Sequence, residues 1–329
     1  MIRRILLAAG AVLVPIASLD FLTRRASRRL LDAPRTAPDE AALGPALDAL
    51  GGEVVKFRAR DGLRLSGRWL DAEAGDRKWR RDPHEAILLL HGWSGSIVPH
   101  LVEYGPFLRR TAGVLGLDFR GHGDSDDSPT TFGLREVEDV AGALAWLGER
   151  GIERVALVGM SMGGITAIAA VAILGDGSLV GRDVDPVAPA HVAAPRRPRI
   201  VAVVADSVGP EIAAVAVPRI PGPRPRMVAN RIFDSIAKTL GADPRDTEPI
   251  RVIGLLEGVD LLLISGDQDT IVPVADAHRL AEAAPVGTDQ WIVPGADHRR
   301  SHRTDPAAYE SRVTSHLRTA FLGARKADL

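Results

Sequence analysis

The chain has 329 residues, of which 46% are apolar and 25% charged, with a formal net charge of −1. That is enough chain for a sizeable core, and the near-neutral balance makes no electrostatic case for nucleic acid as a partner. It contains no cysteine, which excludes disulfides, thiolate metal sites and cysteine catalysis.

In chain order, residues 5–19 are uncharged and almost wholly apolar, preceded by Arg3 and Arg4 and followed by Arg24, Arg25, Arg28 and Arg29. The run through Leu22 is at the short end for a spanning helix, which needs about 20 apolar residues, and it contains Pro15 and Asp20. We read residues 1–30 as a single membrane anchor. The arginines behind it place the rest of the chain on the cytoplasmic side. The alternatives are a surface helix, an export signal, or an apolar helix packed on the domain. Deleting this segment is expected to release a soluble, active enzyme. Residues 31–52, rich in Ala, Pro and Asp, read as a linker.

The main domain spans 53–322. Residues 53–60 and 63–70 form a strand pair about Asp61-Gly62. Residues 86–90, 114–119, 155–158, 200–205, 259–264 and 290–293 read as apolar strands, the pattern of a parallel sheet covered on both faces. Helical spacing marks 134–150, 227–240 and 309–322. Residues 174–199 read as a surface excursion, and 323–329 as a C-terminal tail. Residues 208–256 carry Pro218, Pro221, Pro223 and Pro225, which a central strand does not tolerate. The stretch is also too long for a plain crossover. We expect a small cap there, with Ile212, Val215, Val217 and Ile220 as an apolar wall and Phe233 as a substrate-binding residue.

Gly159-Met160-Ser161-Met162-Gly163 has the G-x-S-x-G pattern between a strand and a helix. The serine there sits on a strained turn that glycines make possible, at a helix N-terminus. Its hydroxyl needs a base, and the base needs an orienting acid. Two loops that follow strands downstream supply candidates, His298 as base and Asp269 as acid. Asp267 and His302 are the alternatives. Backbone donors for an oxyanion are expected from Met162 and from Trp93, in the loop after the strand at 86–90. His91 reads as a brace for that loop. His298 and His302 begin in a loop after Pro294-Gly295, so no metal site is expected.

His91-Gly92-Trp93, the segment from Asp118 through Arg120-Gly121-His122-Gly123-Asp124-Ser125, the serine elbow, Gly266-Asp267-Gln268-Asp269 with Val272-Pro273, and Gly295-Ala296-Asp297-His298 together resemble the α/β-hydrolase superfamily. The resemblance is to its small-cap, serine-aminopeptidase-like and esterase-like branch, and it covers about residues 53–322. It implies an α/β-hydrolase fold with a mostly parallel sheet, helices on both faces and an inserted cap. It also implies a serine hydrolase acting on a small-molecule acyl substrate without a cofactor. A carboxylic ester is the first expectation. A peptidase, thioesterase or acyltransferase is the alternative on the same residues, and a membrane-tethered binding protein the alternative without catalysis. His122 and Asp124 are expected in structural hydrogen bonds.

Overall fold

A computed structural model describes residues 20–35, 40–73, 79–175, 197–220 and 223–328. Eight strands form one sheet: β1 (Glu53–Arg58), β2 (Arg64–Leu70), β3 (Glu85–Leu90), β4 (Gly113–Asp118), β5 (Arg154–Met160), β6 (Arg199–Asp206), β7 (Asp260–Gly266) and β8 (Asp289–Val293). Their spatial order is β1-β2-β4-β3-β5-β6-β7-β8. β2 runs antiparallel to both neighbours, and every later pairing is parallel. The strands expected from the sequence are all present, with ends shifted by a few residues.

Ten helices are described: α1 (20–31), α2 (Glu40–Leu50), α3 (Val98–Leu108), α4 (Glu136–Glu149), α5 (Met162–Leu174), α6 (Pro225–Leu240), α7 (Pro249–Val252), α8 (Val274–Glu282), α9 (Ser301–Thr304) and α10 (Pro306–Ala327). Successive strand residues feed opposite faces of the sheet. Ala86, Leu88 and Leu90 of β3 join the core beneath α4 and α5, whereas Ile87 and Leu89 join the one beneath α3 and α10. This two-sided burial is why the central strands are apolar throughout rather than alternating.

Between β6 and β7 the described residues form only helical pieces, a 3-10 helix Ile212–Arg219, α6, α7 and short 3-10 turns, in the place expected for the cap. Ile212, Ile232, Phe233 and Ile236 of this insertion are buried in the α4–α5 core. Residues 176–196, most of the expected surface excursion, lie outside the described residues.

Three boundaries differ from expectation. The linker contains α2, whose Leu47 and Leu50 pack on the α3 side of the sheet. The tail is helical to Ala327, because α10 is longer than the apolar pattern suggested and starts at Pro306, capped by the Asp305 side chain accepting from Ala308 N–H. Residues 1–19, the main body of the expected anchor, lie outside the described residues, and no described helix is long and apolar enough to cross a membrane. Its last turns, however, belong to the folded domain as α1. Thr23, Ser27 and Leu31 are buried, and Ser27 Oγ donates to the Ile232 carbonyl of α6 at 3.1 Å. A cut at residue 30 severs this packed helix, so deletion of 1–30 is expected to cost the domain stability.

Candidate active site

The turn between β5 and α5 is the elbow. Ser161 holds φ 53° and ψ −115°, a conformation that side-chain-bearing residues rarely adopt. It persists because its surroundings leave no alternative. Ser161 N–H donates to the Asp206 carbonyl at 2.8 Å. A Cβ on Gly159 would stand 2.4 Å from the Gly163 backbone, and one on Gly163 2.3 Å from the Leu90 carbonyl oxygen. Any side chain at either position would push α5 off the sheet. The glycines of the motif thus serve close packing, not positive φ.

The loops after β7 and β8 bring Asp269 and His298 to this serine. His298 Nε2 lies 3.1 Å from Ser161 Oγ, and His298 Nδ1 lies 2.9 Å from Asp269 Oδ2. Asp269 is buried, and its Oδ1 accepts the N–H groups of Ile271 and Val272, both at 2.8 Å. These bonds lock the carboxylate toward the imidazole. The array is competent to take a proton from the serine hydroxyl and to hold the imidazolium that results.

The alternatives occupy other positions. Asp267 Oδ1 accepts Gly295 N–H at 2.6 Å and shapes the β8 turn. His302 sits between Glu103 and Glu310 and stacks on Phe107. Asp297 accepts from Thr270 and from His298 N–H, joining the two loops. His91 is fully buried and braces its loop. Its Nε2 accepts Phe119 N–H at 3.1 Å, which leaves Nδ1–H to donate to the Gly92 carbonyl at 2.7 Å. His122 Nε2 accepts Ser94 N–H. In that loop the anchoring carboxylate is Asp118, which accepts from Ile97 and Asp124 N–H; Asp124 takes part through its backbone.

Met162 opens α5, so its N–H belongs to the first turn, whose donors have no partner within the helix. The Trp93 indole donates to the Leu30 carbonyl at 3.1 Å, which ties the loop expected to supply the second oxyanion donor to α1. Phe233 is elsewhere than expected. It is fully buried against Phe132, at a ring separation of 5.7 Å, and packs the insertion onto the domain instead of facing a substrate.

Sequence reasoning missed a second layer behind the histidine. Asp206, at the end of β6, is wholly buried. Its Oδ1 accepts from Ser207 Oγ at 2.8 Å and Ser301 Oγ at 3.0 Å, while Ser207 Oγ accepts Arg299 N–H at 2.9 Å. Burial pushes the Asp206 carboxyl up to about 6. Oδ2 and the nearby Tyr309 hydroxyl have no hydrogen bond of ordinary geometry. The one available signal was an aspartate at the carboxyl end of a parallel strand. Among the described residues, no group of three His, Asp or Glu is placed to hold a metal ion.

The chain has counterparts among known proteins. The model of the Alpha/beta hydrolase family matches residues 87–312. The uncharacterized protein YfhR of Salmonella typhi is 27% identical over 266 residues, covering 79% of this chain and 78% of that protein, and YfhR of Escherichia coli K12 is 26% identical over the same length. Among solved structures, the Pyrococcus furiosus esterase Pf2001 has a TM-score of 0.62 at 21% identity, covering 88% of this chain and 98% of that one. An α/β hydrolase of Vibrio vulnificus gives 0.62 at 18% identity, with 90% and 93% covered. A bacterial membrane phospholipase A gives 0.54 at 17% identity, with 97% and 99% covered. Identities this low establish the shared fold alone. The family match spans most of the chain and includes the serine elbow, the acid loop and the histidine loop, so the protein belongs to the α/β-hydrolase family.

Proposed function

We propose that the protein is a serine hydrolase that cleaves carboxylic esters through an acyl-enzyme. The observation that carries this reading is the unbroken chain of contacts Ser161 Oγ to His298 Nε2, 3.1 Å, and His298 Nδ1 to Asp269 Oδ2, 2.9 Å. Ser161 Oγ attacks the acyl carbonyl carbon as its proton passes to His298 Nε2. The negative charge that develops on the carbonyl oxygen is held by the N–H groups of Met162 and Trp93. The bond to the leaving alkoxide then breaks, and His298 returns the proton to it. Water, deprotonated by His298, attacks the acyl-enzyme and releases the acid and free Ser161. Asp269 holds the imidazole in the required tautomer. None of these steps calls for a cofactor.

Labelling with a fluorophosphonate, followed by turnover of p-nitrophenyl esters of graded chain length beside an anilide, tests the proposal. Labelling at Ser161 with ester turnover supports it. Turnover of the anilide alone moves the activity to peptide bonds. A folded protein that neither labels nor turns over any substrate is the tethered binding protein instead.

We also propose that the apolar run at residues 5–22 attaches the enzyme to a membrane, with the domain on the cytoplasmic side. The larger arginine cluster that follows the run, Arg24, Arg25, Arg28 and Arg29 against Arg3 and Arg4 before it, supports that side. Recovery of the full-length chain in the soluble fraction, or digestion of its domain by protease added outside intact cells, overturns it.

A further inference from the structure

Beside His298 lies a cleft of about 220 Å³, walled by His298 itself, Arg299, Arg300 and Arg303 on one side and by His100, Glu103 and Tyr104 of α3 on the other. Arg303 is not free, since it pairs with Glu103 at 2.8 Å. The Glu103 carboxylate, held down to about 2 by its His302 and Arg303 partners, is thereby spent within the wall. The side chains of Arg299 and Arg300 make no ion pair and no hydrogen bond among the described residues. Burial holds His100 down to about 4, so it is neutral at pH 7, and the positive charge facing the cleft is that of the arginines.

Arg299 is put there at a cost. Its backbone has φ 57°, a strained value for a residue with a side chain. The Ser207 and Asp206 layer holds it in that state through the Arg299 N–H. Gly92, in the oxyanion loop, is the residue that makes room. A Cβ there would stand 3.0 Å from Arg299 Nη1. Glu103 and Asp206 act on the Arg299 guanidinium only at longer range, and a half-buried guanidinium that no carboxylate contacts is unfavourable unless something anionic completes it.

We infer that this cleft is an anion subsite and that the alcohol portion of the substrate ester carries a phosphate or a carboxylate. The inference rests on the hydrolase reading above. It assigns the charge to the alcohol portion because His298 must protonate the leaving alkoxide, which places that group beside His298, and His298 is one of the residues that line the cleft. A planar guanidinium suits either anion, which it can engage through two parallel hydrogen bonds.

The test compares esters of one acid, octanoate, that differ only in the alcohol: glycerol against glycerol 3-phosphate, and propanol against 3-hydroxypropanoate. Values of kcat/KM are measured for the wild type and for Arg299→Gln/Arg300→Gln. The wild type should prefer at least one anionic ester over its neutral partner by about tenfold, the scale of a hydrogen bond to a charged group. The anionic pair that shows the gain separates phosphate from carboxylate. In the double variant the ratio of anionic to neutral ester should collapse toward one. Because the ratio is taken within each variant, a general loss of activity cancels. If the double variant does not fold, Arg300→Gln alone should lower the ratio, and inorganic phosphate should inhibit wild-type turnover of the glycerol ester competitively. Neutral and anionic esters turned over alike by the wild type would overturn the subsite and leave the hydrolase standing. A preference that survives in the folded variant would overturn it equally. Failure of every ester, with no fluorophosphonate labelling, brings down the hydrolase reading itself.

Discussion

Ser161 and Asp269 were both found in the sequence by their place after strands, and each has a substitution that isolates its role. Ser161→Ala should abolish labelling and ester turnover while the circular dichroism spectrum stays that of the wild type. Residual turnover at the wild-type level by the folded variant would remove Ser161 from the chemistry. Asp269→Asn should lower kcat by about 10⁴, the cost of the wrong imidazole tautomer in serine proteases. Asp267→Asn should cost far less, because Asp267 holds the Gly295 N–H and not the histidine. A reversed ranking would move the acid. Asp206 makes a different prediction, about stability. Its folded value of about 6 lies above the ordinary 3.8. The protonated form is favoured in the folded state, so the contribution is full below about pH 4 and is lost as the pH rises through 6. A shift of this size is worth up to about 3 kcal/mol. Asp206→Asn keeps an acceptor for Ser207 and Ser301 and does not ionise. Its unfolding free energy should therefore gain on the wild type between pH 4 and pH 7, and a difference independent of pH would refute the account.

At the scale of elements, α1 and the cap helix α6 are one packing unit. Ser27 reaches the Ile232 carbonyl, and the Leu30 carbonyl takes the Trp93 indole. Starting the chain at residue 20 should keep the melting temperature and ester turnover, whereas starting it at residue 32 strips the buried Leu31 and both hydrogen bonds. The loss should be about 3–5 kcal/mol, judged from one buried leucine and two hydrogen bonds, and turnover should fall as the Trp93 loop loosens. Equal stability of the two truncations would show that α1 adds nothing. Phe233→Ala should behave as a core deletion, destabilising by about 3–5 kcal/mol, with an unchanged preference among acyl chain lengths. Helical spacing marks residues 227–240 in the sequence, but which face of α6 is buried depends on what it packs against. Phe132, at a ring separation of 5.7 Å, takes that face.

On the scale of the whole molecule, the chemistry sits at the carboxyl ends of the strands and the stitching at their amino ends. Buried Glu85, at the start of β3, pairs with Arg325 of α10 at 2.6 Å and with Arg154 of β5 at 3.3 Å, and Asp328 pairs with Arg154 at 2.8 Å. Removing residues 323–329 takes away Arg325 and Asp328 and leaves a buried carboxylate short of a partner. That should cost about 3–5 kcal/mol, read as a lowered denaturant midpoint, with kcat per folded molecule unchanged because the site is at the far end of the sheet. An unchanged midpoint would make these residues the tail that their composition suggests.

The strands, the elbow and the order Ser161, Asp269, His298 were legible in the sequence because they are local. A strand buried on both faces must be apolar, as in the Leu88-Leu89-Leu90 run, and a strand-to-helix turn this tight needs Gly159 and Gly163. Everything that depends on which surfaces meet was decided by the tertiary structure. α2 was read as linker because propensity alone does not reveal that Leu47 and Leu50 find a partner surface on the α3 side. Arg299 has no sequence signature at all. Its unpaired guanidinium, its strained backbone and the space left by Gly92 come together only when the loops after β3, β6 and β8 converge, since electrostatic environment and burial are properties of neighbours distant along the chain.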